Sequence, residues 1–415
     1  MRSPDYAPLH LLRGFLPWDG SSAMFIHQYH SREVWRSRGL RIGVDLALAC
    51  LVWPLLTLYA IGRFTQPNGP TIKARTGKGI CRQMVEQCWL ALAYTLPPKW
   101  YYIFELHDDE KRRRAGQYLQ RFETKGGIYA ILKEPCRARG TLNLLNDKVA
   151  FAAWCQDHHV PAVPVLLALE RGALTYCRGR DSALPRIDLF IKPNYSKGGH
   201  GAERWDYQPP GCYQAPDGTR LTEAELWLRL QRLSFPQGCL VQPRVVNHPL
   251  IADLSNGALV TVRIITCRNE RGESEVTNAV LRMARGRNTV VDNFHAGGIA
   301  AKVDLQSGAL GRATDQGVRA TTGWCDTHPD TGAPIVGRRL PLWGDTLALV
   351  QHAHSVFSDR IFVGWDVALL PDGPQLIEGN GGPDLDIIQR THEEPVGNAR
   401  LGQLLAFHLR TEQHG

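Results

Sequence analysis

The 415-residue chain has no low-complexity tract and no repeat period, which excludes solenoids, propellers and fibrous arrays. Its ten cysteines are scattered singly, with no CxxC pair among them. On that pattern no zinc site is expected and no disulfide framework is indicated, and a reducing cytosol is the simplest compartment. No GxxxxGK[ST] occurs, so a P-loop is excluded. No Ser/His/Asp or Cys/His set has the sequence context of a nucleophilic triad. Asp5, His10 and Asp19 interrupt the first residues and no apolar run starts before Ile42, so no secretory signal is expected there.

The charge is lopsided. The net value is +8, yet residues 1–150 carry 22 Lys and Arg against 12 Asp and Glu, a surplus of +10, and the remainder sums to −2. The basic residues are interleaved with apolar runs and form no nucleic-acid reading helix, so the expected partner is an anionic membrane surface and not nucleic acid. From Leu46 to Gly62 there are 17 residues without a charge, interrupted by Pro54. A single span here would carry Arg2, Arg13, Arg32, Arg36, Arg38 and Arg41 to the far side, against the positive-inside bias. A helical hairpin with the second apolar run at 88–106, or helices lying in the interface, fits better. Burial of both runs in a soluble helical domain is the alternative. The expected location is cytoplasmic, at the inner face of the cytoplasmic membrane. HDDEKRRRAGQYLQRFETK, 107–125, reads as a charged surface helix.

The texture changes at Asn146. NDKVAFAAWCQDHHVPAVPVLLALE reads as a helix capped by Asn146 or Asp147, a proline-marked stop and then a short strand. Strand patterns then recur at 187–195, 238–246, 258–267, 274–284, 297–305, 361–370 and 373–380, with helical patterns at 222–233, 342–357 and 397–410. This is an α+β architecture. The boundaries divide the chain into a helical N-terminal region (1–106), a helical linker (107–147), a small lobe (148–255) and a C-terminal lobe (256–415).

IFVGWDVALLPDGPQLIEGN, 361–380, contains two apolar strands around Pro371-Asp372-Gly373. Folding the hairpin about Asp372 pairs Leu370 with Pro374 and sets Asp366 opposite Glu378. Side chains alternate at period two, so Asn380 shares that face. Two opposed carboxylates call for a cation, and an all-oxygen donor set suits Mg²⁺ or Mn²⁺. Such a metal commonly works with phosphate. FIKPNYSKGGHGA, 190–202, offers Lys192 inside an apolar strand and then a glycine-rich loop whose N–H groups can approach phosphate oxygens. Arg263 sits mid-strand in ALVTVRIITC, where a guanidinium needs either a structural carboxylate or a reacting phosphate.

The succession of Lys148, FIKP, SKGGHG, the Gln242 strand, TVR, DNFHAGGIAAKVD, GWDVAL and LIEGN resembles the ATP-grasp superfamily over roughly residues 97–405. Within it the sequence is most similar to the sugar-transfer-associated and alpha-L-glutamate-ligase-like proteins. The resemblance implies an ATP-grasp fold, two α+β lobes gripping ATP. It implies that Asp366, Glu378 and Asn380 hold Mg²⁺ against the ATP phosphates and that Lys148 and Lys192 contact those phosphates. Ser196, Lys197, Gly198 and Gly199 would close over them, and Gln242 with the backbone near Val241 would hold adenine. Arg263 would face the transferred phosphoryl group, and Asn293, Gly297 and Gly298 would receive the acid substrate. The implied reaction joins a small-molecule carboxylic acid to an amine through an acyl phosphate, on a glycan- or envelope-related substrate. A kinase acting on a hydroxyl and a non-catalytic nucleotide-binding subunit are the competing readings.

Overall fold

Nine consecutive residues, Phe362–Leu370, are all buried, so both faces of this strand are covered. Val363, Trp365, Val367 and Leu369 look into one hydrophobic core, and Phe362 into another on the opposite face. A strand of this kind belongs at the centre of a domain, and the rest of the C-terminal half is arranged around it. The structure is a computed structural model that describes residues 8–179, 183–195, 201–286, 290, 292 and 294–414.

Two seven-stranded antiparallel sheets carry the molecule. The first contains β1 (Leu167–Glu170), β2 (Ala173–Cys177), β3 (Leu189–Pro193), β4 (Glu203–Gln208), β5 (Cys212–Gln214), β6 (Arg220–Thr222) and β7 (Cys239–Pro243), in the order β2-β1-β7-β3-β4-β5-β6. The second contains β8 (Thr261–Arg268), β9 (Ser274–Met283), β10 (Ile299–Val303), β11 (Leu310–Thr314), β12 (Trp324–Cys325), β13 (Phe362–Leu370) and β14 (Gly373–Asn380), in the order β12-β11-β10-β9-β8-β13-β14. This is the expected α+β class. The strands β2, β4, β5, β6, β11 and β12 are additions to the pattern read from sequence.

Helices α1 (Ser22–Arg38), α2 (Ile42–Thr76) and α3 (Ile80–Tyr94) form the N-terminal region, and α4 (Lys148–Asp157) follows. Asp147 caps α4, its carboxylate accepting from the N–H groups of Val149 and Ala150. In the first lobe α5 (Glu223–Gln237) covers one face of the first sheet with Leu226 and Leu230. Helix α6 (Trp343–Val356) packs on the Trp365 face of the second sheet together with Phe151 and Cys155 of α4. On the opposite face, α1 and the C-terminal helices α7 (Asp386–Thr391) and α8 (Arg400–His414) pack through Ile26, Ile388, Leu404 and Leu405. The two sheets meet at residues 161–163. The Leu376 N–H donates to Pro161 O (3.0 Å), the Val163 N–H donates to Leu376 O (2.9 Å), and the Gln242 amide donates to Val163 O (2.9 Å).

Two expectations are corrected. The charged stretch 107–125 is not one helix: Asp109–Arg113 forms a short turn capped by Asp108, and the chain then bends so that Tyr118, Leu119 and Gln120 are buried. The apolar run 88–106 turns inward. Trp100, Tyr101, Tyr102, Ile103 and Phe104 form the core of the N-terminal region, so its aromatic content serves packing. The run 46–62 lies within one 35-residue helix, α2, that continues past Pro54. No helix among the described residues is long and apolar enough to cross a membrane.

Trp365 is fully buried, and its indole N–H donates to the Thr266 hydroxyl (2.8 Å). Trp365→Ala is expected to cost about 3–5 kcal/mol of unfolding free energy, as deletion of a large buried aromatic leaves a cavity. Chemical denaturation with fluorescence detection measures it.

Candidate active site

The site grows from the register of one hairpin. Near the turn β13 and β14 pair Leu370 with Gly373, Leu369 with Pro374 and Val367 with Leu376. That is one residue off the pairing expected from a hairpin centred on Asp372. The ladder then shifts between Asp366 and Val367, because Ile377 is an extra residue on β14. The bulge restores the expected pairs, Asp366 with Glu378 and Gly364 with Asn380. On its other side Asp366 pairs with Arg263 of β8. Arg263, Asp366 and Glu378 therefore lie in one row across three strands, on one face.

The row is electrostatically tight. Arg263 binds Asp366 with two parallel hydrogen bonds, Nε to Oδ1 and Nη2 to Oδ2, the latter 2.8 Å. Arg282 of β9 adds Nη2 at 3.1 Å from Asp366 Oδ2. Burial alone would raise the Asp366 carboxyl, but Arg263 and Arg282 outweigh it and hold it at about 2. Burial lowers Arg263, and the charge of Asp366 reverses this, so the guanidinium is held more firmly protonated than usual. Asn380 Nδ2 donates to Glu378 Oε1 (3.3 Å), which fixes the two donors together on the half-buried end of β14. The floor beside them is shallow by necessity: a Cβ on Gly364 would meet the Pro383 Cβ at 2.7 Å.

The first sheet sends a cation toward this row. Lys192 on β3 is 7% exposed, and among the described residues its ammonium has no hydrogen-bond partner. Burial lowers it to about 8. The charges of Glu378 and Asp366, both on the second sheet, pull it back up, and Lys148 pushes it down. Lys148, the first residue of α4, donates Nζ to Asn194 O (2.8 Å). Two lysines on one side thus look across at two carboxylates and an amide on the other. This oxygen donor set fits a hard divalent cation, which supplies charge neutralisation when bound.

The remaining candidates divide. Gln242 is buried, and its amide is spent on Val163 O. Val241 is fully buried, and its carbonyl accepts from the Leu166 N–H (2.8 Å). Both are placed on β7 beside Lys192's strand. Gly297 and Gly298 precede β10, away from the hairpin in sequence. Ser196, Lys197, Gly198, Gly199 and Asn293 lie outside the described residues. Two residues belong to the cluster that the sequence reading passed over. Arg282 carries the same signal as Arg263, a cation amid a strand's apolar residues. Asp292 is buried, accepts from the Thr261 backbone N–H (3.0 Å) and hydroxyl, and lies 3.4 Å from Arg282. Nearby, a cavity of about 120 Å³ lies between the N-terminal region and the second sheet, lined by Lys99, Trp100, Arg121, His295, Asp386 and Arg390 among others.

Lys192 gives a pH signature. Its folded value of about 8 lies below the ordinary 10.5. Between these values the unfolded chain binds the extra proton, so this group makes stability rise with pH across that window. Lys192→Met is expected to be more stable than the wild type below pH 8, with the difference shrinking toward pH 10.5. Denaturant midpoints at a series of pH values measure this.

Comparison with known proteins adds the following. No curated protein matches. Among solved structures, D-alanyl-alanine synthetase A from Vibrio cholerae aligns at 12% identity over 66% of this chain and 67% of its own, with a TM-score of 0.38. An L-amino acid ligase from Bacillus licheniformis aligns at 11% over 68% and 54%, with a TM-score of 0.38. The ADP complex of an N5-carboxyaminoimidazole ribonucleotide synthetase aligns at 12% over 59% and 47%, with a TM-score of 0.35. This chain thus spans about half the length of the last of these. Similarity at this level carries no argument, and the family model does. It matches residues 130–399, well over half the chain, so the protein belongs to the sugar-transfer associated ATP-grasp family.

Proposed function

We propose that the protein is an ATP- and Mg²⁺-dependent carboxylate–amine ligase. The observation that carries this reading is the row Arg263–Asp366–Glu378 with Lys192 facing it from the other sheet. Membership of the family supplies the nucleotide. Asp366, Glu378 and Asn380 hold the metal, which neutralises phosphate charge when bound. Lys148 and Lys192, with Ser196, Lys197, Gly198 and Gly199, hold the phosphates from the small lobe, and Gln242 and Val241 border the adenine.

In the reaction, a carboxylate oxygen of the acid takes the terminal phosphoryl group and ADP leaves. The nitrogen of an amine then attacks the acyl carbon, the acyl–phosphate bond breaks, and phosphate departs with its electron pair as the nitrogen loses a proton. Arg263 steadies the charge of the group in flight. It must exchange part of its contact with Asp366 for phosphate, and Arg282 remains to balance the carboxylate. Asn293, Gly297 and Gly298 receive the acid. The cavity beside His295 and Arg121, with its cationic rim and the Trp100 and Phe294 rings, suits a substrate joining anionic and sugar-like parts.

We propose further that this reaction runs at an anionic membrane surface, a reading that the N-terminal region supports. Helix α2 exposes Val44, Leu51, Val52, Leu55, Leu56, Leu58 and Tyr59, and α3 exposes Ile80, Met84, Val85, Trp89 and Leu92. Exposed Arg36, Arg41, Arg63 and Arg82 stand on or beside the same two helices. An apolar face with basic neighbours fits lipid that is apolar within and anionic at its surface.

Two measurements test these readings. With Mg-ATP, hydroxylamine and a metabolite extract, the protein is expected to release ADP and form a hydroxamate, with Glu378→Gln about 100-fold slower or worse. A phosphate ester without hydroxamate would identify a kinase instead, and an unimpaired Glu378→Gln would remove Glu378 from the metal site. The full chain is expected to sediment with phosphatidylglycerol vesicles and to lose this in the Leu55→Asp/Tyr59→Asp double variant. Equal sedimentation of the two proteins would reject the lipid-facing role of α2.

A further inference from the structure

A second polar cluster lies in the N-terminal region. His10, on the helical turn Pro8–Phe15, and His27 and His30, on α1, converge with Glu123 in a place where none of the four is more than 4% exposed. His10 Nε2 is 3.2 Å from Glu123 Oε1, and His27 Nδ1 contacts the same oxygen. The His10 and His30 rings stand 5.0 Å apart, both against the ring of Phe122.

The hydrogen-bond inventory of this cluster does not close. Among the described residues neither ring nitrogen of His10 makes a hydrogen bond, and His30 Nδ1 makes none. A buried imidazole nitrogen without a partner costs desolvation that nothing returns. The tautomer of His27 sharpens the point. Its Nε2 is 2.9 Å from Gly116 O, and a carbonyl can only accept, so Nε2 carries the proton. Nδ1 meets the Glu123 carboxylate at the same time, so a positive charge, a proton or a metal ion, has to stand at that contact. Arg13, also buried, adds its charge near Glu123 while its Nη2 donates to Tyr94 O (2.8 Å). The other Glu123 oxygen is held by the Gln120 N–H (2.8 Å), which orients the carboxylate.

We infer that His10, His27 and Glu123 form a transition-metal site, with zinc-class ions as its ligand, distinct from the magnesium site between the lobes. The donor types are right: two imidazoles and one carboxylate suit Zn²⁺ or a similar divalent ion, whereas Mg²⁺ prefers oxygen alone. Ligands at about 2.0–2.1 Å from a tetrahedral ion stand about 3.3 Å from each other, as His10 Nε2 and Glu123 Oε1 nearly do, whereas His27 Nδ1 draws back from Glu123 Oε1 to admit the ion. The outer contacts match as well. A ligating histidine commonly donates its far N–H to a backbone carbonyl, as His27 does to Gly116. The site has a glycine-dependent wall, because a Cβ on Gly127 would stand 2.1 Å from His30 Cδ2. Gly127 lies in the π-helical turn Thr124–Ile128 that directly follows Glu123. The ion's role is structural. It ties the chain's first turn and α1 to the segment whose Arg121 and Lys125 contact Asp384 beside the hairpin.

The test uses the full chain. After loading with Co²⁺ and desalting, the protein is expected to retain about one ion per chain and to show the intense visible ligand-field bands of a low-coordinate nitrogen and oxygen site. Zinc should displace the cobalt, and chelation of the loaded protein should lower Tm. Glu378→Gln should retain the ion, and His10→Ala and His27→Ala should lose it. Any of three results would overturn the inference. One is no retained ion. Another is a spectrum dominated by thiolate-to-cobalt charge transfer, which would assign the ion to cysteine. The third is a folded His10→Ala that binds as the wild type does. If the histidine variants do not fold, the wild-type spectrum and stoichiometry decide the question alone.

Discussion

The structure depends on a buried ion pair. Arg263 and Asp366 sit opposite each other on the adjacent strands β8 and β13 of the second sheet, with the core on the far face and α7 and α8 covering the near one. Neither charge is tolerable there without the other. The pair fixes the register of β8 against β13. The register of β13 against β14 then decides where Glu378 and Asn380 emerge. The same interaction that makes the sheet tolerable therefore sets where these two side chains stand, and Arg282 adds a second positive charge beside Asp366.

Much of this was legible in the sequence, and the reasons for the rest are physical. The Asp366–Glu378 pairing could be read because a carboxylate in the middle of an apolar strand is conspicuous and period two is strict. The turn was misjudged by one residue, and the bulge at Ile377 hid the error. The charged segment 107–125 imitated a helix because acidic and basic residues three apart pair on a helix face. Buried Tyr118 and Leu119 break it, and the value of their burial is decided by partners far along the chain. The aromatic run at 100–106 looked like membrane contact because hydropathy cannot distinguish an interior from a bilayer. Strands β4 to β6 escaped notice because they are short, with only one or two large apolar side chains each.

The histidine cluster illustrates the same limit from the other direction. His10, His27, His30 and Glu123 are spread over more than a hundred residues, and each is unremarkable alone. Only the fold brings them together, and only a count of donors and acceptors shows that the set is incomplete. Periodicity finds faces and motifs find loops, but a site assembled from four unrelated positions leaves no local mark.

The junction at residues 161–163 has a mechanical meaning. Leu376 is held on both its N–H and its carbonyl by this segment, which Gln242 in turn clasps from the first sheet. Leu376 is also the residue just before the bulge that sets Glu378. This link between the two sheets thus ends two residues from a carboxylate, so the seating of the first sheet on the second and the place of Glu378 are set by one short stretch of backbone, with the bulge between them.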